Sequence, residues 1–162
     1  MTTTTSARLR RATIDDIPGI LGLIHELAVY EKEPDAVNTT EEDLRKALFG
    51  ADPAAFAHVV EVDGEPVAMA LWFLNFSTWE GVHGIYLEDL FVKPEHRGAG
   101  YGKLLLKTLA ELCVERGYAR LEWSVLNWNE PSIGFYKSLG AVPQDEWTTF
   151  RLTGDSLTSL GS

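Results

Sequence analysis

A nearly continuous apolar segment, Ile85 to Val92, is followed by a glycine-rich turn and a long amphipathic helix. This order of features constrains the fold more than any other part of the chain. Apolar residues at almost every position are typical of a central strand covered on both faces. A second strand, Arg120 to Leu126, follows the helix. A strand, a helix and a strand in succession predict a parallel pair joined by a crossover helix.

The remaining segments complete a mixed α/β pattern. The first half of the chain is predicted to form a strand over Arg8 to Thr13, a helix capped by Thr13 and a helix starting after Thr40. A hairpin of Ala55 to Val62 and Pro66 to Phe76 follows around Asp63-Gly64. After the apolar strand we predict the crossover helix over Ala99 to Arg116, the second parallel strand, a helix capped by Asn129 and ended by Gly140, and a last strand over Trp147 to Leu152. We expect a single domain over residues 1–162, with residues 1–7 disordered.

Composition restricts the class of function. The 162 residues, 45% of them hydrophobic, suit one domain with a full core. Fourteen Lys and Arg against twenty-four Asp and Glu give a formal net charge of −10. This charge disfavours non-specific nucleic-acid binding and favours attraction of cationic small molecules, although an acidic surface also serves solubility alone. The sequence shows no apolar stretch approaching the length of ~18 residues that a membrane span needs, and it shows no secretory signal pattern. We therefore expect a soluble, cytoplasmic protein with no membrane partner.

The positions of cysteine and histidine in the sequence indicate neither a metal site nor thiol chemistry. Cys113 is the only cysteine, so an internal disulfide is excluded, and it lies among leucines at helical spacing as a core residue does. The four histidines include no pair at metal-ligand spacing: His25, His58, His83 and His96. We expect no metal site.

The turn after the apolar strand holds glycines at three alternate positions, Gly98, Gly100 and Gly102. The spacing does not fit GxGxxG, and it is one residue short of GxxxxGK, with Leu104 in place of Ser or Thr. Glycines leave room for a ligand against the backbone, and the first turn of the helix that follows has N–H groups without intrahelical partners. Together these features predict an anion site for a phosphate or pyrophosphate.

Two carboxylates, Glu88 and Asp89, interrupt the apolar strand. Because side chains alternate across a strand, we expect them on opposite faces, so that at least one is partly buried. Burial without a partner raises a carboxyl pKa toward the range in which the group acts as a base near neutral pH. The alternative is a frayed, solvated or bulged strand that leaves ordinary acidic side chains.

A third group of polar side chains lies on the helix capped by Asn129. Ser132 and Tyr136 follow at helical spacing, so the three share neighbouring parts of one face. A phenol with a reference pKa of ~10 can protonate a departing thiolate of pKa ~8.5. The alternative is that Phe135 and Tyr136 only anchor the helix in the core.

Four segments in this order resemble the diamine acetyltransferases of the GNAT superfamily, which include spermidine/spermine and thialysine acetyltransferases. They are Leu23 to Glu31, Tyr86 to Val92, the RxxGxG loop from Arg97 to Lys103, and Asn129 to Lys137. The resemblance spans roughly Arg8 to Leu152. It implies a mostly antiparallel central sheet with a parallel pair splayed around an acetyl-CoA site, helices on both faces, and a homodimer.

The resemblance also implies roles for individual residues. Tyr136 matches the general acid and Glu88 the general base, acting through water, while Asp89, Trp79 and Trp147 match positions near the amine. The donor-binding positions it implies are Leu90, Phe91, Val92, Arg97, Gly98, Ala99, Gly100, Tyr101, Gly102, Lys103, Asn129, Ser132 and Tyr136. Phe91 and Val92 match a bulged strand end whose backbone pairs with pantetheine, and a backbone N–H near Leu90 or Phe91 is expected to polarise the thioester carbonyl.

The acceptor stays open at this point. Ser77 stands where polyamine-acetylating relatives tend to carry an acidic residue, so a diamine, a polyamine, thialysine or another lysine-like amino acid all fit. The expected reaction is direct transfer from acetyl-CoA in a ternary complex, since no nucleophile with a base and an orienting group is evident. A protein or peptide acceptor, which needs an open groove, is one alternative, and a noncatalytic acyl-CoA-binding regulator is another.

Overall fold

The computed structural model of the chain describes residues 6–162. Its elements, in order, are β1 (Ala7–Arg11), α1 (Ile17–Tyr30), α2 (Glu41–Phe49), β2 (Phe56–Val62), β3 (Glu65–Ser77), β4 (Val82–Val92), α3 (Tyr101–Arg116), β5 (Leu121–Trp123), α4 (Glu130–Ser138) and α5 (Gly154–Leu160). Single 3₁₀ turns, Ile14–Asp16 and Pro94–His96, precede α1 and α3. The disorder expected for residues 1–7 falls on residues 1–5 outside the described part, and Ala7 already belongs to β1.

The five strands form one sheet in the order β1-β2-β3-β4-β5. Neighbouring strands run antiparallel from β1 to β4, whereas β4 and β5 are parallel. Helix α3 connects the parallel pair, which is the crossover that a parallel connection needs. The predicted mixed, mostly antiparallel sheet with one parallel pair is confirmed.

One face of the sheet packs against α1 and α2. The buried cluster on this face consists of Ile17, Ile20, Leu23, Leu44, Leu48, Ala57, Val59, Met69, Leu71 and Phe91. In β2 and β3 these residues alternate with other buried side chains, which must therefore lie on the opposite face. The sheet is thus covered on both faces, as the apolar run in β4 predicts.

Helix α3 contacts β2, β3 and β4 and covers the second face. Its buried side chains are Leu105, Leu106, Leu109 and Cys113, so the core position predicted for the cysteine is confirmed. Trp72 is fully buried in β3, and its Nε1 donates to Nδ1 of buried His58 at 3.1 Å. Burial, together with the positive charges of Arg11 and Arg116, lowers the pKa of His58 to about 4. His58 is therefore a neutral acceptor inside the core.

Capping side chains set where the helices begin. At α2, Thr40 Oγ1 accepts from the N–H of Asp43 at 3.1 Å, and the Asp43 carboxylate accepts from the N–H of Thr40 at 2.9 Å. This reciprocal pair satisfies two donors that the helix leaves open. The helix predicted directly after Thr13 begins instead with a 3₁₀ turn, in which the carboxylate of Asp16 accepts from the N–H of Thr13 and from the guanidinium of Arg10.

The chain divides into two compact units, the second of which spans Val125–Ser162. The strand predicted over Trp147 to Leu152 is wrong, since this part of the second unit adopts no strand. A turn bond from the N–H of Trp147 to the carbonyl of Gln144, 3.2 Å long, precedes it, and Phe150 is 94% exposed. A segment with residue types that favour a strand forms one only where a neighbouring strand supplies the hydrogen-bond ladder. Helix α5, which the sequence pattern did not predict, follows.

Candidate active site

The parallel pairing of β4 with β5 stops partway along β4. It covers three pairs and ends at Leu87↔Trp123, whereas β4 continues to Val92. From Asp89 to Val92 the strand pairs with β3 on its other edge. The edge on the β5 side therefore carries main-chain N–H and C=O groups that β5 does not bind. Such an edge is suited to an extended ligand that pairs with backbone groups.

Glu88 is the extra residue of a β-bulge in β4. Leu71 pairs with Asp89 and the next residue, Trp72, pairs with Leu87, so the register skips Glu88. Leu87 consequently shares the α3 face with Trp72, while Asp89 shares the α1 face with Leu71. The expectation of strict alternation through Glu88 and Asp89 is wrong because the extra residue shifts the phase of the strand.

The position of the bulge also differs from the one that the resemblance implies. Phe91 and Val92, expected in a bulged strand end, pair regularly with Met69 and Ala68. The phase shift at Glu88 directs Phe91, 5% exposed, into the core beneath α1 and α2. Residues two apart share a face of any regular strand, and the bulge sets the α1 face as the one that Asp89 and Phe91 share.

Three carboxylates interact electrostatically beside the bulge: Glu31, Glu88 and Asp89. We call them the acidic cluster. Burial, reinforced by the charges of Glu88 and Glu31, raises the pKa of half-buried Asp89 from 3.8 to about 6. Burial and the charge of Glu88 also raise the pKa of Glu31, which follows the last residue of α1. The predicted burial of at least one carboxylate is confirmed, and Asp89 rather than exposed Glu88 is the buried one.

Glu31 is the member of the acidic cluster that sequence reasoning did not select. It stands directly after the C-terminal end of a helix, where a carboxylate is unfavourable to the helix dipole. This unfavourable position is the one local feature of the sequence which indicates that Glu31 serves a purpose other than stabilising the helix. Its approach to β4 depends on how α1 packs on the sheet, which the sequence pattern does not specify.

The glycine-rich loop leads from β4 into α3 with the backbone conformation that glycine favours. Gly98 and Gly100 have φ values of +91° and +84°. A Cβ atom added at either would meet nothing within 4 Å, so the space beside the loop is open. The N–H groups of Tyr101, Gly102 and Lys103 begin α3 and have no acceptor within the helix. The loop thus offers main-chain donors and the positive end of the helix dipole to an anion.

The side chain of Arg97, the first residue of the RxxGxG pattern, contacts the protein itself. Its Nε donates to the carbonyl of Val92 at 3.0 Å. Its guanidinium lies over two rings, 5.2 Å from the centre of Tyr30 and 5.4 Å from the centre of Phe91. Arg97 therefore joins the loop to the end of β4 and to the last turn of α1.

Trp79 lies in the turn between β3 and β4 and is 81% exposed. A strand rises about 3.3 Å per residue, so the seven steps from Val82 to Asp89 span roughly 20 Å. One ammonium group cannot contact both residues within the same chain. Ser77, at the end of β3, accepts a hydrogen bond from the N–H of Glu80 at 3.1 Å and so holds this turn.

The other predicted site residues belong to the second unit. Asn129 is buried, and its side chain accepts from the N–H of Ser132 at 3.3 Å, which makes it the cap predicted for α4. Tyr136 lies on this helix, half-exposed, with its ring centre 5.7 Å from that of Phe135. Trp147 is 69% exposed.

Residues 6–162 contain neither a metal-binding cluster nor a membrane-spanning helix. No three or more His, Cys, Asp or Glu side chains in this range are arranged to hold a metal ion. None of its helices is both long and apolar enough to cross a bilayer. The Cys113 thiol is free, and burial raises its pKa.

Strand β4 carries an acidic bulge, separates from its parallel neighbour β5 and leads through a glycine-rich loop into a helix. This combination defines a class of group-transfer fold. The model of the Acetyltransferase (GNAT) family matches residues 22–141. Thialysine N-epsilon-acetyltransferase of Bos taurus is 40% identical over 94% of this chain and 95% of its own length. L-ornithine N5-acetyltransferase of Arabidopsis thaliana is 30% identical over 95% of this chain and 87% of its own. An integron cassette protein from the mobile metagenome of V. cholerae superposes with a TM-score of 0.81, at 26% identity and coverages of 96% and 98%.

The chain belongs to the GNAT acetyltransferase family, since the family match covers well over half of its residues. It is an N-acetyltransferase, as are relatives that align with nearly its whole length. The predicted family and enzyme class are confirmed. The family uses acetyl-CoA as the acetyl donor.

Proposed function

We propose that this chain transfers the acetyl group of acetyl-CoA to a primary amine of a small cationic acceptor. The observation that carries the proposal is the acidic cluster beside the glycine-rich loop. Glu88 and Asp89 lie on β4, and the same strand leads through Arg97 into the loop. One continuous segment thus provides negative charge for a cationic acceptor and backbone donors for an anionic donor.

The donor is assigned to the loop and to the end of β4. The loop from Arg97 to Lys103 would hold the pyrophosphate at the start of α3, where N–H groups and the helix dipole favour an anion. The fit rests on Gly98 and Gly100, whose positive φ values and open surroundings keep side chains away from the backbone. The backbone of Leu90, Phe91 and Val92 is assigned to the pantetheine arm because β5 does not bind that edge of β4.

The acceptor is assigned to the acidic cluster. Burial, reinforced by the charges of Glu88 and Glu31, raises the pKa of Asp89 to about 6. A bound cation relieves that repulsion, so the cluster is stabilised by an ammonium group. The net charge of −10 raises the local concentration of such molecules further. A neutral amine gains none of these contributions.

Two observations favour a lysine-like amino acid or a short diamine over a long polyamine. Ser77 holds the turn after β3 instead of supplying a distal carboxylate. The relatives at 40% and 30% identity carry names that specify thialysine and L-ornithine, amino acids with a terminal amine. A panel of thialysine, lysine, ornithine, short diamines, spermidine and a lysine peptide, followed by CoA release and product mass, separates these classes. Transfer to the peptide alone would establish a protein acetyltransferase, and binding of acetyl-CoA without any transfer would establish a regulator.

The reaction is assigned to direct attack without an acylated residue. Glu88, exposed at the bulge, takes a proton from the ammonium group through water, which frees the nitrogen lone pair. The C–N bond forms as the C–S bond breaks, and Tyr136 gives its phenol proton to the thiolate. The second proton that the nitrogen loses as the amide forms passes through water and restores the phenol of Tyr136. A backbone N–H near Leu90 or Phe91 stabilises the negative charge that develops on the thioester carbonyl oxygen during the attack. Tyr136 belongs to the second unit, and its role rests on the family resemblance.

Substitutions at the two β4 carboxylates test the assignment of base and acceptor site. Glu88→Gln should lose activity near neutral pH and regain part of it at high pH, where an amine of reference pKa ~10 deprotonates by itself. Asp89→Asn should instead raise the KM of a cationic acceptor. A Glu88→Gln enzyme as active at pH 7 as the parent removes Glu88 from the mechanism.

Salt dependence provides a test that needs no substitution. The Debye length falls from ~10 Å at 0.1 M salt to ~3 Å at 1 M, so kcat/KM for a diamine should drop with added salt, whereas a neutral amine should be affected much less. Equal salt profiles for the two amines would contradict a cationic acceptor.

A homodimer is the assembly we propose. The second unit exposes large apolar side chains around the segment expected as a strand: Val142 is 73% exposed, Trp147 69% and Phe150 94%. A second copy that covers them would remove apolar surface from water. Light scattering after gel filtration should give twice the chain mass, and Phe150→Ser should shift the protein toward the monomer. A parent that stays monomeric at high concentration contradicts the dimer.

A further inference from the structure

Arg97 makes contacts that differ from those of a free phosphate ligand. Its Nε is bonded to the carbonyl of Val92 at 3.0 Å, and its guanidinium lies within 5.4 Å of the ring centres of both Tyr30 and Phe91. The N–H of Arg97 also donates to the carbonyl of Pro94 at 3.3 Å. Backbone and side chain thus both hold the residue that immediately precedes the first glycine of the loop.

A second contact joins the same two parts of the fold. The ammonium of Lys93 lies 3.8 Å from the carboxylate of Glu26. Lys93 follows β4, and Glu26 lies one turn before Tyr30 on α1. The last two turns of α1 are therefore attached to the segment before the glycine-rich loop at two places. Of these, the Arg97 contact is the one next to the loop itself.

The chemistry of the Arg97 contact requires an arginine. A planar guanidinium can stack on an aromatic ring while its Nε donates in the same plane, whereas a lysine ammonium is a point charge on a flexible stem. A phosphate that needs only a nearby positive charge accepts either residue. The two roles therefore predict different outcomes for a lysine substitution.

The last turn of α1 carries one member of the acidic cluster. Tyr30 directly precedes Glu31, whose pKa is raised by burial and by the charge of Glu88. A residue that fixes Tyr30 against the end of β4 also fixes where Glu31 approaches the bulge. On the proposed function, Tyr30 thus links the donor loop to the acceptor carboxylates.

We propose that Arg97 is a positioning residue, which fastens the glycine-rich loop and the acidic cluster to one another through Val92, Phe91 and Tyr30, and is not a side-chain ligand of the donor phosphates. The proposal rests on the proposed function for its kinetic consequences. Its structural core, the coupling between Arg97 and Tyr30, stands independently of turnover.

The kinetic test uses two donors, acetyl-CoA and S-acetylpantetheine, which lacks the phosphates. Arg97→Ala and Arg97→Lys should each lower kcat/KM by about 3- to 30-fold with both donors, and each should raise the KM of the acceptor. Arg45→Ala, which removes a surface arginine paired with Glu42 on α2, should leave these values unchanged. A loss confined to acetyl-CoA, or activity restored by lysine, overturns the proposal in favour of direct phosphate binding.

The structural test needs no catalysis. A double-mutant cycle of Arg97→Ala with Tyr30→Leu, read by urea unfolding and by CoA affinity in calorimetry, should show that the second substitution costs little after the first. Tyr30→Phe keeps the ring and should retain the coupling. Additive effects of the two substitutions overturn the proposal. If the parent acetylates no amine, the proposed function fails, while the cycle still decides whether Arg97 and Tyr30 act together.

Discussion

Replacing Asp89 by asparagine should stabilise the protein at neutral and alkaline pH. The substitution keeps the shape of the side chain and removes a charge that burial and two neighbouring carboxylates oppose. The folded chain holds the Asp89 proton up to about pH 6, whereas an unfolded chain releases it near 3.8. Folding stability therefore falls as the pH rises through this window, because the folded state must accept an unfavourable charge.

The size of the effect follows from the shift in pKa. A rise from 3.8 to about 6 is about two units, which corresponds to about 3 kcal/mol at 1.36 kcal/mol per unit. Asp89 keeps partial contact with solvent, which screens the charges and reduces the expected gain to roughly 1–3 kcal/mol above pH 7. For a domain of this length, each kcal/mol raises the Tm by about 2–4 °C. At pH 4 parent and variant should be nearly equal.

Urea unfolding of both proteins at pH 4, 6 and 8 measures this difference directly. Asp52→Asn removes an exposed carboxylate from the loop after α2 and should change stability by less than ~0.5 kcal/mol at each pH. A variant that gains nothing at pH 8, or that gains as much at pH 4 as at pH 8, would refute the raised pKa of Asp89. Stability that rises while the KM of a cationic acceptor also rises would show that the charge is retained for function.

Three further substitutions have defined outcomes. Tyr136→Phe keeps the ring and removes the proton donor, so turnover should fall by ~10²–10⁴ while calorimetric donor affinity stays the same; full activity would leave only the packing role. Gly100→Val places a β-branched residue at φ +84°, which should cost about 1–2 kcal/mol in unfolding experiments and abolish CoA binding, and unchanged CoA affinity would remove the loop from the donor site. His58→Gln retains an acceptor for Trp72 but cannot be protonated. The parent should lose stability from about pH 6.5 to 4, as the unfolded histidine gains its proton, and the variant should lose less; parallel pH profiles would contradict the pKa of about 4.

Local signals in the sequence predict the parts of the fold that depend on local chemistry. The helix start after Thr40, the hairpin around Asp63-Gly64 and the Asn129 cap all occur as expected. The parallel pair follows from the order of strand, glycine turn and helix, because only a crossover connects such strands. These features depend on neighbours within a few residues or on chain connectivity.

The features that the sequence pattern misses depend on partners distant in the chain. The sequence leaves a bulge at the two carboxylates open as an alternative, but only the pairing of Leu71 and Trp72 with residues two apart in β4 makes Glu88 the skipped position. Glu31 joins the acidic cluster only through the packing of α1 on the sheet. The segment expected as a strand from Trp147 is rich in aromatic and β-branched residues and still forms no strand, because these residue types favour a strand but do not supply a partner.

The bulge at Glu88 gives β4 a tolerance to a change in length that point substitutions do not reveal. Removing Glu88 would join Leu87 directly to Asp89 and restore simple alternation, while Asp89 and Phe91 keep their partners on β3 and their face of the sheet. The acidic cluster would lose one carboxylate, and the ring of Phe91 would stay in the core. A second deletion between Val82 and Val92 would find no extra residue to remove, so it would exchange the faces of the side chains on one side of it.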